Sequence, residues 1–155
     1  MFIESLSLDK YRNYKNSHIT FSDGINILYG DNAQGKTNIL EAIYMLATTK
    51  SHRGSRDREI IGFDEEESHI RAEIKKNDIS HRIDMHLRKN RSKGVAIDMI
   101  PIKSGAQLMG LMNIILFSPE DLAIIKNSPQ ERRRFMDMEL CQLNRIYYSN
   151  LSSYN

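Results

Sequence analysis

Gly30-Asp31-Asn32-Ala33-Gln34-Gly35-Lys36-Thr37 reads G-x-x-x-x-G-K-T, the spacing of a phosphate-binding P-loop. Its flanks fit that reading. Ile25-Asn26-Ile27-Leu28-Tyr29 is a short apolar run between Gly24 and Gly30, as a buried strand would be, and Ile39, Ile43 and Leu46 recur at helical spacing after the loop. Strand, glycine-bearing loop and helix is the order the motif needs. Gly30 and Gly35 let the backbone turn tightly with its amides inward, and the helix aims its unpaired N-terminal amides at the same anion. Lys36 is then expected to reach the β- and γ-phosphates of ATP and the Thr37 hydroxyl to ligate Mg²⁺, with Asp31, Asn32, Ala33 and Gln34 completing the loop. The competing reading is an ordinary turn before a helix.

The 155 residues suffice for one domain of ordinary size, and 40% hydrophobic with 27% charged residues is a globular balance that excludes disorder. A net charge of +2 is too weak to argue for nucleic acid by itself. The single cysteine, Cys141, excludes an internal disulfide, fits a reducing compartment and reads as a small buried hydrophobe. No signal peptide and no membrane-length apolar run is visible, so a cytoplasmic protein without a membrane partner is expected.

Before the loop, Phe2, Leu6 and Leu8 share a parity and predict a strand over residues 1–9; Lys10 to Lys15 reads as a polar, aromatic connection, and Ile19 and Phe21 as a second strand. Simple P-loop kinases and small GTPases usually place one strand, not three, up to the loop. After the loop helix, Thr48 to Arg58 is a polar, basic stretch that either folds back to the nucleotide or offers cations to DNA. Ile70/Ala72/Ile74, Ile83/Met85/Leu87 and Val95/Ile97/Met99 alternate with polar residues and predict an antiparallel meander with one wet face. Arg82, Arg88, Lys89, Arg91 and Lys93 concentrate charge there, more simply a solvated face than a nucleic-acid patch. His81 and His86 fall on opposite faces and do not form a metal pair.

Ser104 to Gly110 reads as a short helix or turn and Asn113 to Phe117 as a buried strand. Ser118-Pro119-Glu120-Asp121 and Ser128-Pro129-Gln130-Glu131 each carry a helix-start signal. From the second, an apolar stripe of Phe135, Met138, Leu143, Ile146, Tyr147, Leu151 and Tyr154 predicts one helix to the last residue, with more protein expected to follow. Arg132-Arg133-Arg134 points three ways around that helix and reads as a solvated or intramolecular feature. A P-loop hydrolase also needs an apolar strand ending in an acid. Asp98 follows a short run inside the meander, and Ser118 stands where an acid would follow Ile114 to Phe117, so no catalytic residue is assigned.

Taken together, Tyr11-Arg12-Asn13-Tyr14, the loop through Asn38, Thr49-Lys50-Ser51-His52-Arg53, Phe117-Ser118-Pro119-Glu120-Asp121-Leu122 and Pro129 to Asp137 closely resemble the N-terminal part of the bacterial RecF family of recombination mediators. The resemblance implies an α/β P-loop NTPase of the ABC-ATPase-head type, related to SMC and Rad50 heads. Residues 1–135 would form the ATP-binding lobe, and residues 129–155 the start of an incomplete helical lobe. It implies ATP and Mg²⁺ as cofactors, with Arg12 and Asn13 at the position where related heads bring an N-terminal arginine to the phosphates; an exposed loop arginine is the alternative. It further implies an ATP-dependent homodimer when complete, single-stranded or gapped DNA as partner, and recombinase loading with RecO and RecR. This chain alone is then expected to bind ATP without efficient hydrolysis. The rivals are a self-sufficient P-loop kinase or NTPase using Asp98 or Glu120, and a head of another SMC/Rad50-like repair ATPase.

Overall fold

The computed structural model describes residues 1–118 and 129–154. They form two compact units, Met1–Lys103 and Ser104–Asn155, a division that falls before the Pro129 start signal.

The first unit is built on one antiparallel sheet. Its strands are β1 (Phe2–Tyr11), β2 (Tyr14–Thr20), β3 (Glu67–Lys76), β4 (Ile79–Arg88), β5 (Gly94–Ile97) and β6 (Ile100–Pro101), in the order β2-β1-β3-β4-β5-β6. The period-two pattern is realised: Leu6, Leu8, Ile70, Ala72, Ile74, Ile83, Met85 and Leu87 are buried on one face. Removing each large side chain from water contributes on the order of 2 kcal/mol, so this face specifies the register. Asn77 and Asp78 join β3 to β4, and Asp98 and Met99 join β5 to β6; all four have positive φ, as a two-residue hairpin of type I′ requires. Met99 therefore belongs to a turn and is 73% exposed, where alternation placed it in a strand. The supposed connection from Lys10 to Lys15 shrinks to Arg12 and Asn13, because Tyr11 already pairs with Tyr14.

Helix α1 (Lys36–Thr48) packs on the apolar face through Ile39, Ala42, Met45 and Leu46. Ile43, assigned to its inner stripe from spacing, is only half-buried. A second short helix, α2 (Asp57–Ile60), buries Ile60 near β4. The run before the phosphate loop corrects the expectation of a buried strand. Residues 25–30 join no ladder, and Ile25, Ile27 and Tyr29 are 90%, 78% and 92% exposed. Apolarity suits that run to a sheet, but among the described residues no strand pairs with it.

In the second unit, Ser104 caps a 3₁₀ turn, Gly105–Gln107, through a bond from the Ala106 amide. Residues 113–118 join no ladder, contrary to the strand expected there, and Ile115 and Phe117 are exposed. Instead, the buried Gln142 side chain takes a neighbouring strand's place at Ile114: its Oε1 accepts from the Ile114 amide at 2.7 Å, and its Nε2 donates to the Ile114 carbonyl at 3.0 Å. Helix α3 (Pro129–Leu143) starts with proline in its first position, as read. The helix does not run on to the end. Asn144 accepts from the Ile146 and Tyr147 amides through Oδ1 and so begins a separate helix, α4 (Arg145–Tyr154). Cys141 is buried and Arg132, Arg133 and Arg134 are exposed on α3. The start signals at Pro119 to Asp121 and at Ser128 lie outside the described residues.

Candidate nucleotide-binding site

The phosphate loop has the backbone its sequence calls for. Gly30, Ala33 and Gly35 have φ of 140°, 64° and 98°. Ala33 in the left-handed region costs about 1 kcal/mol, the sort of strain kept where a loop must present its amides. Asp31 to Gln34 are exposed, and α1 begins directly after Gly35, whose carbonyl accepts from Asn38 N at 2.8 Å. That helix has no side-chain cap and no acid in its first turn, so the partial positive charge of its N-terminus is left unneutralised. The Lys36 ammonium lies over the loop, donating to the carbonyls of Gly30 at 2.7 Å and Asp31 at 2.6 Å. Thr37 is exposed in the same first turn. The Lys36 ammonium and the uncapped first turn of α1, which holds Thr37, thus adjoin one exposed loop, which suits a polyphosphate with a hard cation.

The β1–β2 turn braces this loop. Asn13 Nδ2 donates to the Gln34 carbonyl at 3.3 Å, while its Oδ1 accepts from Asn38 Nδ2 at 2.8 Å. The Tyr14 hydroxyl lies 3.5 Å from the same carbonyl. These contacts explain Gly35: a Cβ there would sit 2.7 Å from the Tyr14 hydroxyl and 2.8 Å from Asn13 Oδ1, on top of its positive φ. Asn13 thus lies beside the loop and bonds to it.

Arg12 is placed differently. Its Nε and Nη2 bind the two oxygens of Glu41 at 3.0 and 2.8 Å, Nη2 also donates to Ser55 Oγ, and Nη1 donates to the Glu59 carbonyl. Glu41, in the second turn of α1, is fully buried and also accepts from Ser51 Oγ and, at 3.4 Å, from the Tyr11 hydroxyl. Burial alone would raise the Glu41 carboxyl, but hydrogen bonds from Arg12 and Ser51 and the charges of Arg12 and Arg53 outweigh it and hold it below its ordinary value. Burial and then the Glu41 charge push the Tyr11 phenol up, so it stays a neutral donor. The Thr48 to Arg58 stretch runs back beside α1: Arg53 Nη1 is 3.3 Å from Asn38 Oδ1 and 4.0 Å from Glu41. Glu41 went unremarked in the sequence, although an acid among Ile39, Ala42 and Met45 on a buried helix face is a signal for a partner.

The remaining candidates lie elsewhere. Asp98 sits in the β5–β6 turn, bonded to His81 Nδ1 at 2.9 Å and to the Arg82 amide at 2.8 Å, which with the neighbouring charge lower its pKa. Glu120 lies outside the described residues. The basic run of the meander is largely paired: Arg82 with Asp84, Lys89 with Glu66, Lys93 with Asp57, and Arg88 with His86.

Comparison with known proteins agrees with this architecture. The AAA domain family matches residues 5–152. The DNA replication and repair protein RecF of Lachnoclostridium phytofermentans is 62% identical over the whole chain, and the chain spans 43% of that relative's length. A solved structure of the recombination mediator protein RecF with ATP, in the RecFOR pathway, matches with a TM-score of 0.93 at 34% identity, over 99% of this chain and 43% of that one. An SMC ATPase structure, solved in work on ATP-driven dimerization and DNA-stimulated activation, shares the fold with a TM-score of 0.70 at 23% identity over 89% of this chain and 99% of that one. With its P-loop, its antiparallel sheet and these similarities, the chain belongs to the AAA domain family and is similar over its whole length to part of the RecF proteins.

Proposed function

We propose that this chain is the ATP-binding lobe of a DNA replication and repair protein of RecF type. One observation carries the reading: the Lys36 ammonium and the uncapped, acid-free N-terminus of α1 meet at one exposed loop. Gly30 to Gly35 would wrap the phosphates, Lys36 would neutralise their outer charge and Thr37 would hold Mg²⁺. ATP with its Mg²⁺ would supply a transferable γ-phosphoryl group with ADP as the leaving group; what this lobe supplies is binding and orientation. Asn13 holds the loop from outside, and Arg12 acts through Glu41 on the helix that presents it. A RecF with ATP among the similar structures supports the ligand.

The finer reading is that the protein engages single-stranded or gapped DNA as an ATP-dependent homodimer, and with RecO and RecR helps to load recombinase in the cytoplasm. The relatives' role in DNA replication and repair and the SMC-type fold support it. No helix among the described residues is long and apolar enough to cross a membrane. The chain alone would bind ATP and turn it over slowly, because Asp98 is bonded into a hairpin. The test is equilibrium binding of Mg-ATP together with turnover, with Lys36→Ala as control. Loss of the charge-assisted contacts should weaken binding by about 10- to 100-fold. Binding indifferent to Lys36 sinks the proposal; brisk Lys36-dependent turnover returns the reading to a self-sufficient P-loop enzyme.

A further inference from the structure

The face of the sheet opposite α1 carries a cluster that the nucleotide site does not use. Register places Asn16, Asp9, His69, His86 and Gly94 in one row across β2, β1, β3, β4 and β5. All five line a groove of about 620 Å³. The two imidazoles stack at 3.9 Å between centroids and 23° between planes. Glu67, two residues before His69 and so on the same face, reaches both rings: its oxygens lie 2.9 Å from His86 Nε2 and 4.0 Å from His69 Nε2. One ligand atom from each of the three residues lies within 4.8 Å of the others. Gly94, opposite His86, leaves the approach open, since a Cβ there would meet nothing within 4 Å.

We propose that Glu67, His69 and His86 bind a transition-metal dication of the Zn²⁺ class on the open face of the sheet. Two imidazoles and one carboxylate are a set that zinc accepts, and imidazole selects such a metal over Mg²⁺. Small side-chain rotations would bring the three atoms from their present spacing onto one ion. Asp9, directly across from His69 in the register, adds a second negative charge beside the site. Arg88 opposes the site: its Nη2 lies 2.9 Å from His86 Nδ1. Arg88 Nε also lies 3.4 Å from His86 Nε2. An ion held by His86 Nε2 would leave the ring proton on Nδ1 and would displace the Arg88 guanidinium toward solvent.

The opposed roles of these residues give the test its specificity. The full chain is titrated with Zn²⁺ by calorimetry, and with Co²⁺ by visible absorption, in the absence of nucleotide. One ion per chain is expected. His69→Ala, His86→Ala and Glu67→Gln should each weaken it by at least the roughly tenfold that loss of even an outer-shell partner costs. Arg88→Ala should tighten it, and His81→Ala, on the other face, should leave it unchanged. Mg-ATP binding, retained in every variant, shows that the fold is intact and that this site is separate from the phosphate loop. Absence of saturable binding, or binding that survives all three ligand substitutions, overturns the proposal, as does a weaker site in Arg88→Ala.

Discussion

Removing Arg12 should damage the protein through its stability before it touches the nucleotide. Arg12→Ala leaves the fully buried Glu41 carboxylate with the hydroxyls of Ser51 and Tyr11 and the more distant Arg53. Breaking a buried pair by deleting one partner costs roughly 3–5 kcal/mol. The surviving donors place Glu41 toward the lower end, and loss of the bonds to Ser55 and the Glu59 carbonyl adds to it. An expected cost of about 3 kcal/mol corresponds to a Tm lower by roughly 10 °C. Urea unfolding followed by circular dichroism measures it, alongside Mg-ATP affinity at low temperature where the variant remains folded. Glu41→Gln and the double variant complete a cycle, which should show a coupling energy of about 1–3 kcal/mol. If Arg12→Ala keeps wild-type stability while ATP binding collapses, the arginine works on the phosphates directly and the buttressing argument fails.

Gly35→Ala should abolish ATP binding while leaving the sheet intact, because the new methyl meets Tyr14 and Asn13 at a φ of 98°; a variant that binds normally contradicts the bracing described for the β1–β2 turn. Acid should destabilise the protein. Glu41 and Asp84 both have pKa values held down in the fold, so their contribution is present above the ordinary carboxylate values of 4.5 and 3.8 and is lost as pH falls through the depressed ones. A Tm profile taken from neutral to acid pH should drop below about pH 4.5, and Glu41→Gln should flatten that drop. Asp78→Gly should stabilise the β3–β4 hairpin by about 0.5 kcal/mol, since glycine relieves a φ of 62° at some entropic cost; a lower urea midpoint would show that the Asp78 side chain matters more than its backbone.

The sheet was legible because burial on one face imposes a period of two, and Ile70 to Ile74 and Ile83 to Leu87 carry it without interruption. The tight loop from Gly30 into α1 was legible because its two glycines stand at fixed spacing before a helical apolar stripe. Ile25 to Tyr29 and Asn113 to Phe117 were misread for a shared reason: an apolar run reports that a segment suits burial, not which strand would cover it. The break at Asn144 was hidden by an apolar stripe that continues on both sides, and only the side chain's habit of bonding the amides ahead of it marks the new start. Arg12 was singled out for the phosphates, whereas its bonds run to Glu41, Ser55 and the Glu59 carbonyl, which lie far along the chain and converge only in three dimensions.

The strand order has a kinetic consequence. Because β1 lies between β2 and β3, the pairing of Leu8 with Ile70 closes over the whole span that holds the phosphate loop and α1. That closure is entropically slow, although its cost grows only logarithmically with the length enclosed. The β1–β2 hairpin and the β3–β4 hairpin are local and can form early, each without the other. The loop acquires its shape only once they join, because the Asn13 turn belongs to the first hairpin and the helix it steadies packs on the second. Recovery of nucleotide affinity during refolding should therefore lag behind recovery of β-structure, and insertions between residues 21 and 66 should slow folding more than they weaken the folded state.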